Sequence, residues 1–189
     1  STAFTMTILD SLLNIEVETE IGLNFPINLC KFFPAEDGGV IGIVNDVCDY
    51  SRIMRIDNQG NVLWFKSYVP IVQPPGGYGR SRVTQIYHTN PNRYIIVGYQ
   101  GFGYGLLFWK INSNGDLIDE LHFEIVDQDV QYRTDYDGEH IAGVSHKAVA
   151  DTNGVYVIDT SFNILHAGLL IFQDTLPQLR SLALTPTSL

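Results

Sequence analysis

Eight side chains carry most of the chemistry this sequence offers: Tyr50, Tyr78, Phe102 and Tyr104, with the cations Arg80, Arg82, His146 and Lys147. Several sit among glycines, as in Gly76-Gly-Tyr-Gly79 and Gln100-Gly-Phe-Gly-Tyr-Gly105. Aromatic faces beside a few cations suit a sugar, a peptide or an acidic partner, and these eight are read as ligand-binding residues. The plainer alternative is that the glycines permit tight turns and the tyrosines cover sheet edges. Nothing assembles into a catalytic constellation. The Gly76 stretch lacks the Lys-Ser/Thr and helix of a phosphate loop, no serine sits in a nucleophile elbow, and neither Cys30 nor Cys48 has a base partner. Asp46, Asp49 and Asp151 are scattered carboxylates that sequence does not bring together.

Metal chemistry finds equally little. Asp135-Tyr-Asp-Gly-Glu139 has the oxygen-rich opening of a calcium loop but not its remainder. It aligns with the turns at Ala35 to Gly39 and Thr89 to Arg93, so a hairpin turn is the reading. His140 and His146 are six apart, on one face of a strand, with no third ligand in view. The expectation is therefore no catalytic residue, no metal and no cofactor.

The elements that must position the eight residues are set by a repeated hairpin. Arg55-Ile-Asp-Asn-Gln-Gly-Asn-Val-Leu-Trp-Phe-Lys-Ser67 reads as strand, tight turn and strand: Asp57 bonds its own backbone ahead, Gly60 supplies a positive φ, and apolar residues alternate on either side. The frame recurs around Asp10, Asn112 and Asp159, at steps of 47, 55 and 47 residues, with a second Asx four residues on in every copy (Asn14, Asn61, Asp116, Asn163). Two copies replace the turn glycine by Leu13 and Phe162. Between the hairpins lie two further strands per unit: Ile27 to Phe33 with Val40 to Asn45, Val83 to His88 with Tyr94 to Tyr99, and Val130 to Thr134 with His140 to Ser145. Residues Ile21 to Pro26, the connector ending at Arg82 and the loop His146 to Asn153 are expected to link them, and Leu179 to Leu184 reads as one more strand.

Four short antiparallel strands per unit of about 47 residues is the pattern of a β-propeller blade. The fold class is all-β, one propeller unit or segment divided into 1–20, 21–69, 70–124, 125–170 and 171–189. Asp57-x-x-Gly60-Asn61-Val-Leu-Trp64 also resembles the outer-hairpin motif of quinoprotein (PQQ-type) propeller repeats, and more generally of WD40-like blades. That resemblance implies an Asp, a turn Gly and a Trp that dock adjacent blades; it implies neither the quinone nor the dehydrogenase activity. Asn112, Gly115 and Leu117 keep part of the motif. Fifteen strands result where four blades need sixteen, so the chain reads as a piece of a larger propeller, as one whose copies complete each other's blade, or as a four-bladed closure with one thin blade.

With 189 residues, 45% hydrophobic and 12% aromatic, the chain can bury a core. A net charge of −10 with eleven scattered Lys and Arg disfavours nucleic acid and anionic lipid. No apolar run reaches the roughly 18 to 20 residues of a membrane span. The start, Ser1-Thr-Ala-Phe-Thr, lacks a signal-peptide pattern, although a processed secreted chain would look the same. The two cysteines fall on neighbouring strands out of register, which gives no basis for a disulfide. The functional expectation is a non-enzymatic binding or scaffold propeller engaging a protein partner or larger assembly through its loop face. The alternatives are a carbohydrate-binding propeller and a fragment of a propeller enzyme whose catalytic groups lie elsewhere.

Overall fold

The computed structural model describes residues 2–9, 12–24, 27–46, 51–68, 81–90, 93–100, 105–123, 130–147 and 152–171. These form fourteen strands and, among the described residues, no helix. Accordingly no helix is long and apolar enough to cross a membrane. A first hairpin pairs β1 (Thr2–Leu9) with β2 (Ile15–Leu23). Three four-stranded antiparallel meanders follow. Sheet I holds β3 (Ile27–Pro34), β4 (Val40–Asp46), β5 (Ser51–Ile56) and β6 (Val62–Ser67). Sheet II holds β7 (Ser81–Asn90), β8 (Arg93–Gln100), β9 (Gly105–Asn112) and β10 (Leu117–Phe123). Sheet III holds β11 (Val130–Tyr136), β12 (His140–Lys147), β13 (Thr152–Asp159) and β14 (Ile164–Ile171).

The repeated turn sets the register of the first hairpin and of the hairpin formed by each sheet's last two strands. In sheet I the Gly60 amide donates to the Asp57 carbonyl, the Asp57 amide donates to Asn61 O, and Asp57 Oδ1 accepts the amides of Gln59 and Asn61, both at 2.8 Å. Asn61 Nδ2 closes the ring onto Asp57 Oδ2 at 3.0 Å. Asn112 with Asp116, and Asp159 with Asn163, repeat this network. The residue before the second Asx takes a left-handed φ in all four copies: 66° at Leu13, 87° at Gly60, 74° at Gly115 and 66° at Phe162. A tight turn closed by a left-handed residue forces one extra residue into the ladder, and a register shift accompanies it in each hairpin. The Asx pair thus holds the turn even where glycine has been lost.

Three apolar layers lie between successive elements. Ile21 and Leu23 of β2 pack with Val44, Met54 and Ile56. Ile41, Ile43 and Ile53 of sheet I meet Ile96, Leu107 and Trp109 of sheet II. Ile95, Val97 and Phe108 of sheet II meet Ile141, Tyr156 and Ile158 of sheet III. Strand alternation makes this layering follow from sequence, since neighbours such as Ile95 and Ile96 point to opposite faces and both are buried.

Several element limits differ from the sequence reading. Ile21 and Leu23 belong to β2 rather than to a connector, because the first hairpin needs them as its apolar anchor on sheet I. Strand β7 starts at Ser81 and β12 runs to Lys147, each continued by ladder pairs of its neighbour. Asp135 and Tyr136 continue β11, so the turn there is shorter. The expected strand Leu179 to Leu184 and Cys48 lie outside the described residues.

Candidate functional site

In a four-stranded meander, the first-to-second and third-to-fourth connections lie at one end, and the second-to-third connection and the link to the next sheet lie at the other. Contacts between sheets I and II align these ends. The Trp64 indole Nε1 donates to Ser113 O at 2.7 Å, and the Tyr68 hydroxyl donates to Gly115 O at 2.8 Å. A Cβ on Gly115 would stand 3.0 Å from Trp64 ring atoms, so this turn lies flat on the indole. Lys66 Nζ reaches Asp116 Oδ1 at 2.7 Å across the same junction. Between sheets II and III, Phe162 at its turn faces Phe108, with ring centroids 6.2 Å apart, and Lys110 Nζ lies 4.4 Å from the Phe162 centroid. Against the first hairpin, a Cβ on Gly60 would stand 3.0 Å from Val17 Cγ1 and Thr19 Cγ2. Each turn therefore rests on the preceding element.

The Asx turns are thus gathered at one end, and the opposite end is where the strands flanking residues 47–50, 69–80, 101–104, 124–129 and 148–151 finish and begin. Arg82 stands there at the start of β7, half-buried and paired with Tyr99. A Cβ on Gly98 would come within 2.8 Å of Arg82 O, so glycine lets β8 follow β7 closely at this point. His146 and Lys147 occupy the last positions of β12, opposite Asn153 and Thr152 of β13, in strand rather than loop. Tyr50, Tyr78, Arg80, Phe102 and Tyr104 lie outside the described residues.

A polar junction at the turn end escaped the sequence reading. Arg55, only 4% exposed, donates to Val40 O at 3.0 Å, to Ile56 O and to Asp37 Oδ1. Desolvation is the largest influence on the Asp37 carboxyl and raises its pKa; the Arg55 bond, the Gly39 amide and the Arg55 charge together outweigh it, leaving the carboxyl below its usual range. Burial pushes the neighbouring Tyr94 phenol up. From sheet II, His88 Nε2 lies 2.9 Å from Glu36 Oε1. The signal was a charged residue between Met54 and Ile56 in an apolar strand. Its bonds are made within the protein, so the cluster ties sheet I to its turn and to sheet II.

The calcium-like stretch is a hairpin turn: Asp137 Oδ1 accepts the amides of Glu139 and His140, which holds that carboxyl below its usual range, and Asp137 Oδ2 lies 3.2 Å from His140 Nδ1. Among the described residues no three His, Cys, Asp or Glu side chains group as they would around a metal ion. No protein-family model matches this chain, and no curated protein or solved structure matches it.

Proposed function

We propose that the chain is a β-propeller-type repeat module that binds a protein partner through the end opposite its Asx turns, and that it performs no catalysis of its own. The observation that carries this reading is the alignment of the sheets. Their turn ends are joined by Trp64, Tyr68, Lys66 and Phe162, which sets the opposite strand ends, with Arg82, His146 and Lys147, on one side; in sequence, Tyr50, Tyr78, Arg80, Phe102 and Tyr104 fall between those strand ends. Connecting segments on a rigid sheet scaffold are where recognition residues are disproportionately placed. In sequence, the linking segments and the strand ends beside them carry Asp46, Asp49, Glu124, Asp127, Asp129 and Asp151 as well as Arg80, Arg82 and Lys147, so their aromatic side chains rather than a net charge are what they offer a peptide. Aromatic side chains beside cations also favour a second reading, carbohydrate binding.

The test is binding of the 189-residue chain to a peptide array and a glycan array, alongside a variant carrying Tyr78→Ala, Arg82→Ala and Tyr104→Ala. The reading expects selective capture of peptides that the variant loses while keeping its β-sheet circular dichroism. Saccharide capture lost by the variant would transfer the site to the second reading. Equal binding by both proteins would overturn the site.

A further inference from the structure

We propose that copies of this chain associate head to tail, the Leu13 turn of one copy seating on the outward face of sheet III of the next. The interface is already built three times within the chain. At Gly60, Gly115 and Phe162 the left-handed residue of a turn lies on the third or fourth strand of the preceding element. Leu13 is the fourth such residue, with the same φ of 66° as Phe162, yet it is 77% exposed. A leucine in a left-handed turn is disfavoured both by backbone sterics and by exposure. Phe162 shows what a side chain at this position does: it is a plug, held over Phe108 and Lys110. Leu9 and Ile15, at 46% and 61% exposure, flank Leu13 and widen its apolar tip.

The receiving surface follows from the same register. Positions corresponding to Phe108 and Lys110 are Val155 and Val157 in sheet III, both half-buried, and the position corresponding to Trp64 is the exposed His166 of β14. Among the described residues, the other three turns rest on the first hairpin and sheets I and II, so none of them occupies this face. Two valines offer an aliphatic seat where sheet II offers an aromatic and a cation, which matches a leucine plug in place of a phenylalanine. The outer face beside the plug carries exposed Glu16, Glu18 and Glu20, acidic neighbours for the imidazole of His166. Thr5 and Thr7 are exposed where sheet II has buried Leu107 and Trp109. The junction is therefore more polar than the internal ones and the association weak. A turn on one surface meeting a different surface is heterologous, so it propagates through successive copies unless it closes into a ring.

Sedimentation velocity over a wide concentration range tests this without any ligand and leaves the loop-bearing end unaltered, so its outcome is separable from that of the peptide arrays. Wild type is expected to rise above its 21.2 kDa monomer mass as concentration increases. Leu13→Gly, which retains a turn already tolerated at Gly60 and Gly115, should weaken association about tenfold or more. His166→Glu, at an exposed site, should do the same by placing like charges together. Mixing the two variants should restore a dimer and nothing larger, because one keeps its receiving face and the other its plug. A wild type that stays monomeric throughout overturns the proposal, as does either variant associating like wild type. A mixture that remains monomeric while wild type associates also overturns it.

Discussion

Replacing each non-glycine turn residue by glycine separates backbone strain from side-chain docking. Leu13 and Phe162 share a φ of 66°, a conformation that costs a non-glycine residue about 1–2 kcal/mol. Glycine removes that cost but adds about 0.5–1 kcal/mol of chain entropy to be lost on folding. At Leu13, 77% exposed, little packing is forfeited, so Leu13→Gly should stabilise the monomer by about 0.5 kcal/mol. Phe162→Gly gains the same relief but loses the ring's seat on Phe108 and Lys110. An aromatic pair contributes about 0.5–1.5 kcal/mol and a cation–π contact about 0.5–1 kcal/mol; with the apolar area also lost, the variant should be destabilised by about 2 kcal/mol. Urea unfolding at low micromolar concentration, where association does not contribute, reads both. With a slope of about 2–3 kcal/mol per molar, the midpoint should rise by about 0.2 M for Leu13→Gly and fall by about 0.7–1 M for Phe162→Gly. Midpoints that move in the same direction would show that Phe162 is not docked where Leu13 is exposed.

Other perturbations test the same junctions. Gly115→Ala should cost about 2–3 kcal/mol and Gly138→Ala about 1 kcal/mol, because both have positive φ but only Gly115 faces a ring at 3.0 Å; equal midpoint shifts in urea would contradict the docking of Trp64. The Asn61 side-chain amide, with the amides of Asn61, Gln59 and Gly60, holds the Asp57 carboxyl below its usual range. A depressed folded pKa gives stability that is present above the unfolded value of about 3.9 and is lost as pH falls through the folded one. Asp57→Asn, which copies Asn112, should therefore differ from wild type by a constant amount above about pH 5 and by progressively less below pH 4; a difference that grows on acidification would be inconsistent with this. Burial pushes Tyr87 up to about 12 and Tyr68 higher still. Absorbance titration of the ten tyrosines should leave at least two un-ionised at about pH 11, with stability falling as pH rises above about 10, where the unfolded phenols ionise; ten tyrosines titrating together in a folded chain would count against this burial.

The architecture was legible because its determinants are local and repeated. Asp57, Asn112 and Asp159, each with an Asx four residues on, encode a turn through their own side-chain bonds, and the spacing between copies brackets two further strands. Left-handed geometry at Leu13 and Phe162 could be placed by alignment alone, but whether each side chain is docked or exposed depends on which sheet lies beside it, and only the structure supplies that. Strand ends were misjudged where ladder pairing overrides composition: His146 and Lys147 read as polar loop residues, yet β13 pairs with them. Arg55 was missed as a junction residue because its partners Asp37, Val40 and Ile56 come together only after β4 and β5 pair. For the candidate site, alternation of turn and loop ends follows from any meander, so the sequence could assign Arg82, His146 and Lys147 to one end. Their surroundings depend on how the sheets meet, which no local pattern encodes.

The turn between each sheet's last two strands rests on the last two strands of the element before it, and Trp64 reports this contact directly. Its indole donates to Ser113 O at 2.7 Å and its ring lies beneath Gly115. In a nitrogen-15-edited NOE spectrum of the wild-type chain, the Trp64 indole proton should show cross-peaks to the α-protons of Ser113 and Gly115, and its exchange with solvent should be slowed. An indole that exchanges at the rate of a free side chain, with cross-peaks only to residues of sheet I, would contradict the account.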